Sequence, residues 1–417
     1  MKLGLAEWLA AGRSDPIKSV DTVGAGRQRR GRSAWSVLAV VTLSHFTQHL
    51  YAGIAVLYPA IMATLGISYT ELGIAVGASS VTSGLLQFGF SLAARYAPKR
   101  LLLGAGNLLM SLGTFMMGLT RGFYQFVAAN LLGGAGTAPQ HPVGVSIITD
   151  RYERGTVGGA LGVHYGLAYV GNIVSPLLLT AIAVAYGWRE ALYVLAIPPA
   201  FTGVLLMLYL AGESPETEKR PRAGLLGEVR GSLRVKGAWA VMGAQMLLAG
   251  STGMGSMVTY MPLFLTNELH MGTVETGAIY SLAMFAGVLG TLLLGHYSDR
   301  IGHLNAAMIS AVVTSTATLL LILYRSASIL LVPHLFVMGL SGFAITSLLQ
   351  AHLSAVAEPG QREILFGVFF TAGFGFSSVW SIIIGVLRDT YGSFAPAWTL
   401  MAVLGLTATL ILWRSNP

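Results

Sequence analysis

The chain has 417 residues, of which 54% are hydrophobic and only 10% are Asp, Glu, Lys or Arg, against roughly a quarter charged in an ordinary soluble protein. So few charges cannot cover a water-facing surface, which excludes a soluble globular protein of this size. The net charge of +8 therefore calls for a topological explanation before a ligand.

The first 33 residues are polar and end in the basic stretch GAGRQRRGRS. They lack the early apolar core and small-residue cleavage site of a signal peptide and read as a disordered cytoplasmic tail. Beyond them, apolar runs of about 20 residues or more recur, each long enough as a helix to cross about 30 Å of hydrocarbon. Twelve are expected, near 36–62, 71–95, 100–119, 122–149, 157–186, 189–212, 237–265, 274–297, 304–324, 328–354, 363–387 and 394–413. The expected fold is an all-α polytopic membrane protein of two six-helix bundles, residues 34–212 and 237–413. A charged, proline-bearing cytoplasmic linker joins them at 213–236, and 414–417 form a short C-terminus. Within the linker, GLLGEVRGSLRV reads as a short amphipathic surface helix. The chain has 52 glycines, and runs such as GGAGTAPQ at 133–140 suit close helix–helix approach.

With twelve spans, both termini share a side with the loops that follow the even-numbered helices. Every Lys and Arg falls on that side except Arg121, Arg189, Arg325 and Arg388. The asymmetry places both termini in the cytoplasm and the chain in the cytoplasmic (inner) membrane. The basic excess is thus a topology signal, not a nucleic-acid footprint.

The two halves resemble each other. Tyr58–Gly73 aligns with Tyr260–Gly277, matching Pro59 to Pro262 and Gly73 to Gly277, and Leu161–Pro176 aligns with Phe366–Ser381. Internal repeats of this size suit a transporter whose site lies near the midplane, between halves that rock against each other.

One loop makes the likeness specific. GHYSDRIGHL at 295–304 resembles the G-x-x-x-D-R-x-G-[RH] signature of the major facilitator superfamily. The resemblance implies that Asp299 and Arg300 form a charge clasp that favours one gating state. In the first half, Arg95 stands where the acid belongs, so that clasp is missing or rebuilt. Helix 1 from Ser44-His45, the Gln140-His141-Pro142 stretch and the glycine-rich helix 11 are together similar to the fosmidomycin-resistance branch, which implies export of a small anionic compound. The chain departs from that branch where Gln48-His49 replaces Asn-Asp. GNIVSP at 171–176 is similar to the antiporter signature G-x-x-x-G-P, with Ser175 for the second glycine.

No expected span carries Asp, Glu, Lys or Arg near its middle; the ionisable groups inside are histidines. His45 and His49 lie at i and i+4, on one helix face. Imidazole titrates near neutral pH, and burial and a neighbouring anion push its proton affinity in opposite directions, which is the elementary requirement for proton coupling. We therefore expect His45, His49 and His141 to form a protonatable cluster in the central cavity. Further candidates for proton or substrate binding are Gln48, Tyr51, Gln140, His164, Asn172, Gln245, Tyr260, Gln350 and Trp380. Taken singly, His164, His334 and His352 read as packing residues, and His270, His296 and His303 as solvent-exposed ones. Pro142 is expected to kink helix 4.

No HExxH, GxSxG or P-loop occurs, so neither an enzyme nor direct ATP drive is indicated, and no cofactor is expected. The expectation is proton-coupled efflux of a small anionic or neutral polar molecule, by antiport and as a monomer. Proton-coupled uptake of an organic anion is the competing reading. A metal exporter or a non-transporting receptor has less support.

Overall fold

The structure is a computed structural model that describes residues 32–94, 96–152, 156–211, 234–235, 237–250, 256–357 and 359–415. Helix α1 (Ala34–Leu65) starts where the Ser33 hydroxyl accepts the Ser36 N–H at 3.2 Å. It tightens to a 3-10 turn over Gly53–Leu57 and resumes at Tyr58. Gly66, at φ +64°, turns the chain into α2 (Tyr69–Ala93). A capping box opens α2: Ser68 Oγ accepts the Glu71 N–H and Glu71 Oε2 accepts the Ser68 N–H, satisfying two donors that a helix start leaves free.

Helices α3 (Lys99–Leu119), α5 (Val157–Tyr186) and α6 (Trp188–Tyr209) are continuous. Between them α4 comes in pieces, Phe123–Thr137, a π-helical turn Gln140–Gly144, and Val145–Thr149. The second set begins with α7, also divided, as Ala238–Leu248 and Ser256–Leu263 with a π-helical turn Phe264–Glu268. It continues with α8 (Thr273–Ile301), α9 (His303–Leu323), α10 (Leu331–Val356), α11 (Pro359–Tyr391) and α12 (Ala395–Ser415). Among the described residues, ten helices are long and apolar enough to cross a membrane. The other two expected spans are the broken ones. In α4, Pro139 and Pro142 lack the N–H that a regular helix needs, and the wider turn absorbs the mismatch, so the kink expected at Pro142 is present. In α7 the first piece ends at Leu248 and the second starts at Ser256, and residues 251–255 lie outside the described residues.

Helices pack mainly within their own set. Helix α1 lies on α5 and α6, and α3 on α4 and α6; in the second set α8 and α9 lie on α10, and α7 on α11 and α12. Lipid offers little apolar driving force between helices, so close van der Waals approach has to hold them. The glycine run does this work on α4: a side chain at Gly113 or Gly136 would strike the backbone of Gly133 or of Met110 and Gly106. Gly136→Leu is therefore expected to separate α3 from α4, at a cost of about 1–3 kcal/mol or more, read as a fall in melting temperature of the purified protein.

The sets meet along two seams, α2 against α11 and α5 against α8. The glycines that align between the halves sit in these seams. Gly73 lies against the Ser381 backbone and the Tyr260 hydroxyl, and Gly277 against Thr180. We call the side where α1 begins and α12 ends the terminal face, and the other the opposite face. Lys99 and Asp150 pair at the terminal face. The linker up to residue 233 and the N-terminal tail through residue 31 lie outside the described residues.

Candidate functional site

A central cavity of about 260 Å³ lies between the two sets. Helices α1, α2, α4 and α5 line one side, and α7, α8, α10 and α11 the other. Among the described residues that line it there is no Asp, Glu, Lys or Arg; their ionisable groups are the imidazoles of His49 and His141 and the phenols of Tyr51, Tyr58 and Tyr280.

Helix α1 presents His45 and His49 to this region because they are one turn apart. The 3-10 turn follows directly after them, and Ser175 of α5 donates to the carbonyl of Leu50 at its edge. Gly53 makes room for that contact, since any side chain there would meet Ser175. His141 reaches the cavity from the π-helical turn of α4. The three expected histidines do meet: the His45 ring lies 4.7 Å from that of His49 and 5.1 Å from that of His141.

A fourth imidazole joins them. His164 of α5 is fully buried, 4.7 Å from His45 ring to ring, with its Nε2 2.9 Å from His45 Nδ1 and its Nδ1 3.0 Å from the Thr42 hydroxyl. This chain has two self-consistent proton arrangements. If Thr42 donates to His164, then His164 donates to His45; if Thr42 accepts, His45 donates to His164. Reversing the chain moves a hydrogen between the two ends without moving a heavy atom.

The neutral tautomer of His49 follows from its partner. Its Nδ1 is 3.0 Å from Asn172 Oδ1, a carbonyl that can only accept, so Nδ1 carries the hydrogen and Nε2 keeps its lone pair. His49 Nε2 and His45 Nε2 have no protein hydrogen-bond partner. Two unit charges 5 Å apart repel by about 3 kcal/mol at an effective dielectric of 20. Four imidazoles this close therefore hold one proton far more readily than several. Among the described residues, no three His, Cys, Asp or Glu side chains are arranged to hold a metal ion.

The remaining candidates divide. Gln48, Tyr51 and Asn172 line the cavity with His49 and His141. Gln140 sits behind it, accepting from Ser44 at 2.7 Å while Asn107 donates to the same Ser44 oxygen at 2.6 Å. Four others lie outside the lining. Tyr260 is fully buried in the α2–α11 seam, donating to the carbonyls of Ser381 and Tyr69. Trp380 donates to the Met246 carbonyl at 2.7 Å, Gln245 packs on Gly373, and Gln350 is half-buried on α10. Hydropathy identifies a polar residue inside a span but not the rotation of its helix, and that rotation turns these four away. The serines and small polar groups of α2 and α4 (Ser79, Ser80, Ser83, Asn130 and Thr137) line the cavity and are additions to the sequence reading; the GASSVTSG run is the signal for the three serines.

Of the gating residues, Asp299 and Arg300 are both exposed, and neither makes an ion pair among the described residues. Arg95 lies outside the described residues. Ser281 of α8 donates to the Ile173 carbonyl of α5 within one seam, and a group of polar contacts joins the two sets near the opposite face. Asp389 of α11 accepts from the Tyr69 N–H (3.2 Å), the Thr70 N–H (2.7 Å) and the Thr70 hydroxyl (2.6 Å). Beside it, Arg388 lies 4.8 Å over the Tyr69 ring and 3.7 Å from Glu268, while Asn267 donates to the Tyr69 hydroxyl.

The sequence profile of the Major Facilitator Superfamily matches residues 37–381. A probable L-galactonate transporter of Escherichia coli (strain K12) is 26% identical over 365 residues, covering 80% of this chain and 78% of the relative. The fosmidomycin resistance protein of the same organism is 23% identical over 403 residues, covering 93% and 95%. In fold, a crystal structure of the nucleoside transporter NupG superposes with a TM-score of 0.79 at 15% identity, covering 91% of this chain and all of that one. Helices, internal repeat and profile agree: the chain belongs to the Major Facilitator Superfamily and is a multi-pass membrane transporter of small molecules, not an enzyme.

Proposed function

We propose that this transporter carries a small organic anion together with a proton across the cytoplasmic membrane, with the terminal face in the cytoplasm and the monomer as the working unit. The observation behind this reading is the free Nε2 of His49, on an imidazole that lines a cavity without carboxylates. Protonation there creates an N–H donor and the only positive charge among the described lining groups. An anion stabilises that charge and the charge holds the anion, so each ligand favours the other by the same factor. Mutual stabilisation of proton and substrate suits co-transport. Antiport would need proton and substrate to displace each other, which a histidine cavity does for a cation. The inward proton gradient then makes uptake the favoured direction, ahead of the export implied by the fosmidomycin-resistance likeness. The similarity to a probable galactonate transporter, which handles an organic anion, supports the choice.

The test is transport by purified protein in liposomes against a panel of anionic, cationic and neutral compounds. An acid-outside gradient is expected to drive accumulation of an anion, and collapsing that gradient with a protonophore to abolish it. Proton release coupled to substrate entry, or accumulation of a cation, would overturn the reading.

A further inference from the structure

The two walls of the cavity differ in chemistry, and the internal repeat makes the difference plain. Where α5 carries His164, Tyr165 and Tyr169, the aligned positions of α11 carry Phe369, Phe370 and Phe374. Phe370 lies parallel to His141, 6.4 Å from ring to ring, and Phe374 lines the cavity. Phe343 and Phe374, with Thr259, Ser377 and Ser381 beside them, thus face the imidazoles of His49 and His141 across the same space.

The apolar side extends further on α7, α8 and α10. Val258, Tyr280, Met284 and Phe343 line the cavity and also line a narrower recess behind it. Four methionines line that recess, Met257, Met261, Met284 and Met338. Its few polar groups are already engaged: the Tyr280 hydroxyl donates to the Val258 carbonyl, and the Thr314 hydroxyl pairs with Ser341. A substrate bearing many hydroxyls would leave them without partners here, at the cost of desolvation. Methionine side chains are flexible and polarisable, and they adjust to aromatic or branched apolar groups.

We infer that the substrate is an amphipathic organic anion, with one anionic head at His49 and His141 and a compact aryl or branched-alkyl body against Met284, Tyr280 and Phe343. This deepens the anion reading above and rests on it for the head group. A polyhydroxylated sugar acid fits the imidazole wall but not the recess lined by the four methionines.

The experiment measures binding to the purified protein by calorimetry, using benzenesulfonate, phenylphosphonate and benzoate as aryl anions. Gluconate serves as the polyhydroxy anion and benzenesulfonamide as the neutral aryl compound. At least one aryl anion is expected to bind about tenfold or more tighter than gluconate, the scale on which an apolar site sorts its ligands. Met284→Gln, close in volume, is expected to remove most of that advantage and leave gluconate unchanged. The wild-type comparison stands even if the variant does not fold. Gluconate binding as tightly as the aryl anions, or no aryl anion binding at all, would overturn the inference. Benzenesulfonamide binding as well as benzenesulfonate would overturn the anion reading instead, and with it the assigned head group.

Discussion

His49→Gln is expected to weaken anion binding by about 10- to 100-fold and to remove its dependence on pH. A hydrogen bond from a charged donor contributes about 1.5–3 kcal/mol, which sets that range. Glutamine offers an N–H but no charge and no site for a proton. In the wild type one proton is taken up with each anion between the titration of the free imidazole and that of the anion-bound one, and over that range log affinity falls by about one per pH unit as pH rises. The variant is expected to give a flat line. His49→Arg provides the complementary result, because its charge does not titrate: the anion still binds, yet a proton gradient no longer drives accumulation. Calorimetry between pH 5 and 8 reads the first effect, and gradient-driven uptake in liposomes the second. An unaltered pH slope in His49→Gln would move the proton site elsewhere, with His141 and the His45–His164 pair as the neighbours to test.

How much of this arrangement was legible in the chain depends on distance along it. Hydropathy suffices for the spans because each is a local run, and it falls short at α4, where Pro139 and Pro142 break what composition joins. The pairing of His45 with His49 follows from helical periodicity alone. Their meeting with His141 is expected because ionisable groups inside spans should face the bundle interior, and the structure brings the three rings together. His164 was read singly as packing, because nothing local shows that a residue 119 positions away hydrogen-bonds His45. Tyr260, Gln245, Gln350 and Trp380 show the opposite error. Each is polar or amphipathic within a span, but the interior of a bundle contains seams between helices as well as a cavity. Asp389 was legible only as an acid near a helix end, while its role depends on a helix start 319 residues earlier.

Asp389→Ala is expected to shift the resting conformation toward opening at the opposite face by about 5- to 30-fold in population. Asp389 does for α2 what a capping residue does, but from the other set of helices: it accepts two backbone N–H groups that the start of α2 leaves free. Losing a cap costs about 1–2 kcal/mol, and this loss falls only on the conformation in which α2 and α11 touch, which gives the quoted range. Spin labels at Ala63→Cys and Thr390→Cys, both exposed positions at that face on different sets, read the change directly, since the chain has no cysteine of its own. The long-distance population should grow in Asp389→Ala, grow less in Asp389→Asn, which can still accept one bond, and shrink again when a closing substrate is added. An unchanged distance distribution would mean that the contacts of Tyr69 with Tyr260, Asn267 and Arg388, together with apolar packing, hold the seam without Asp389. The choice of chemistry at this seam suits a part that opens on every cycle. Buried apolar area lost on opening would be an unrecovered cost of about 25 cal/mol per Å², whereas exposed N–H and carboxylate groups exchange their partners for water at about 0.5–1.5 kcal/mol net apiece. A latch of hydrogen bonds around one aspartate is strong enough to define a state and weak enough to be released.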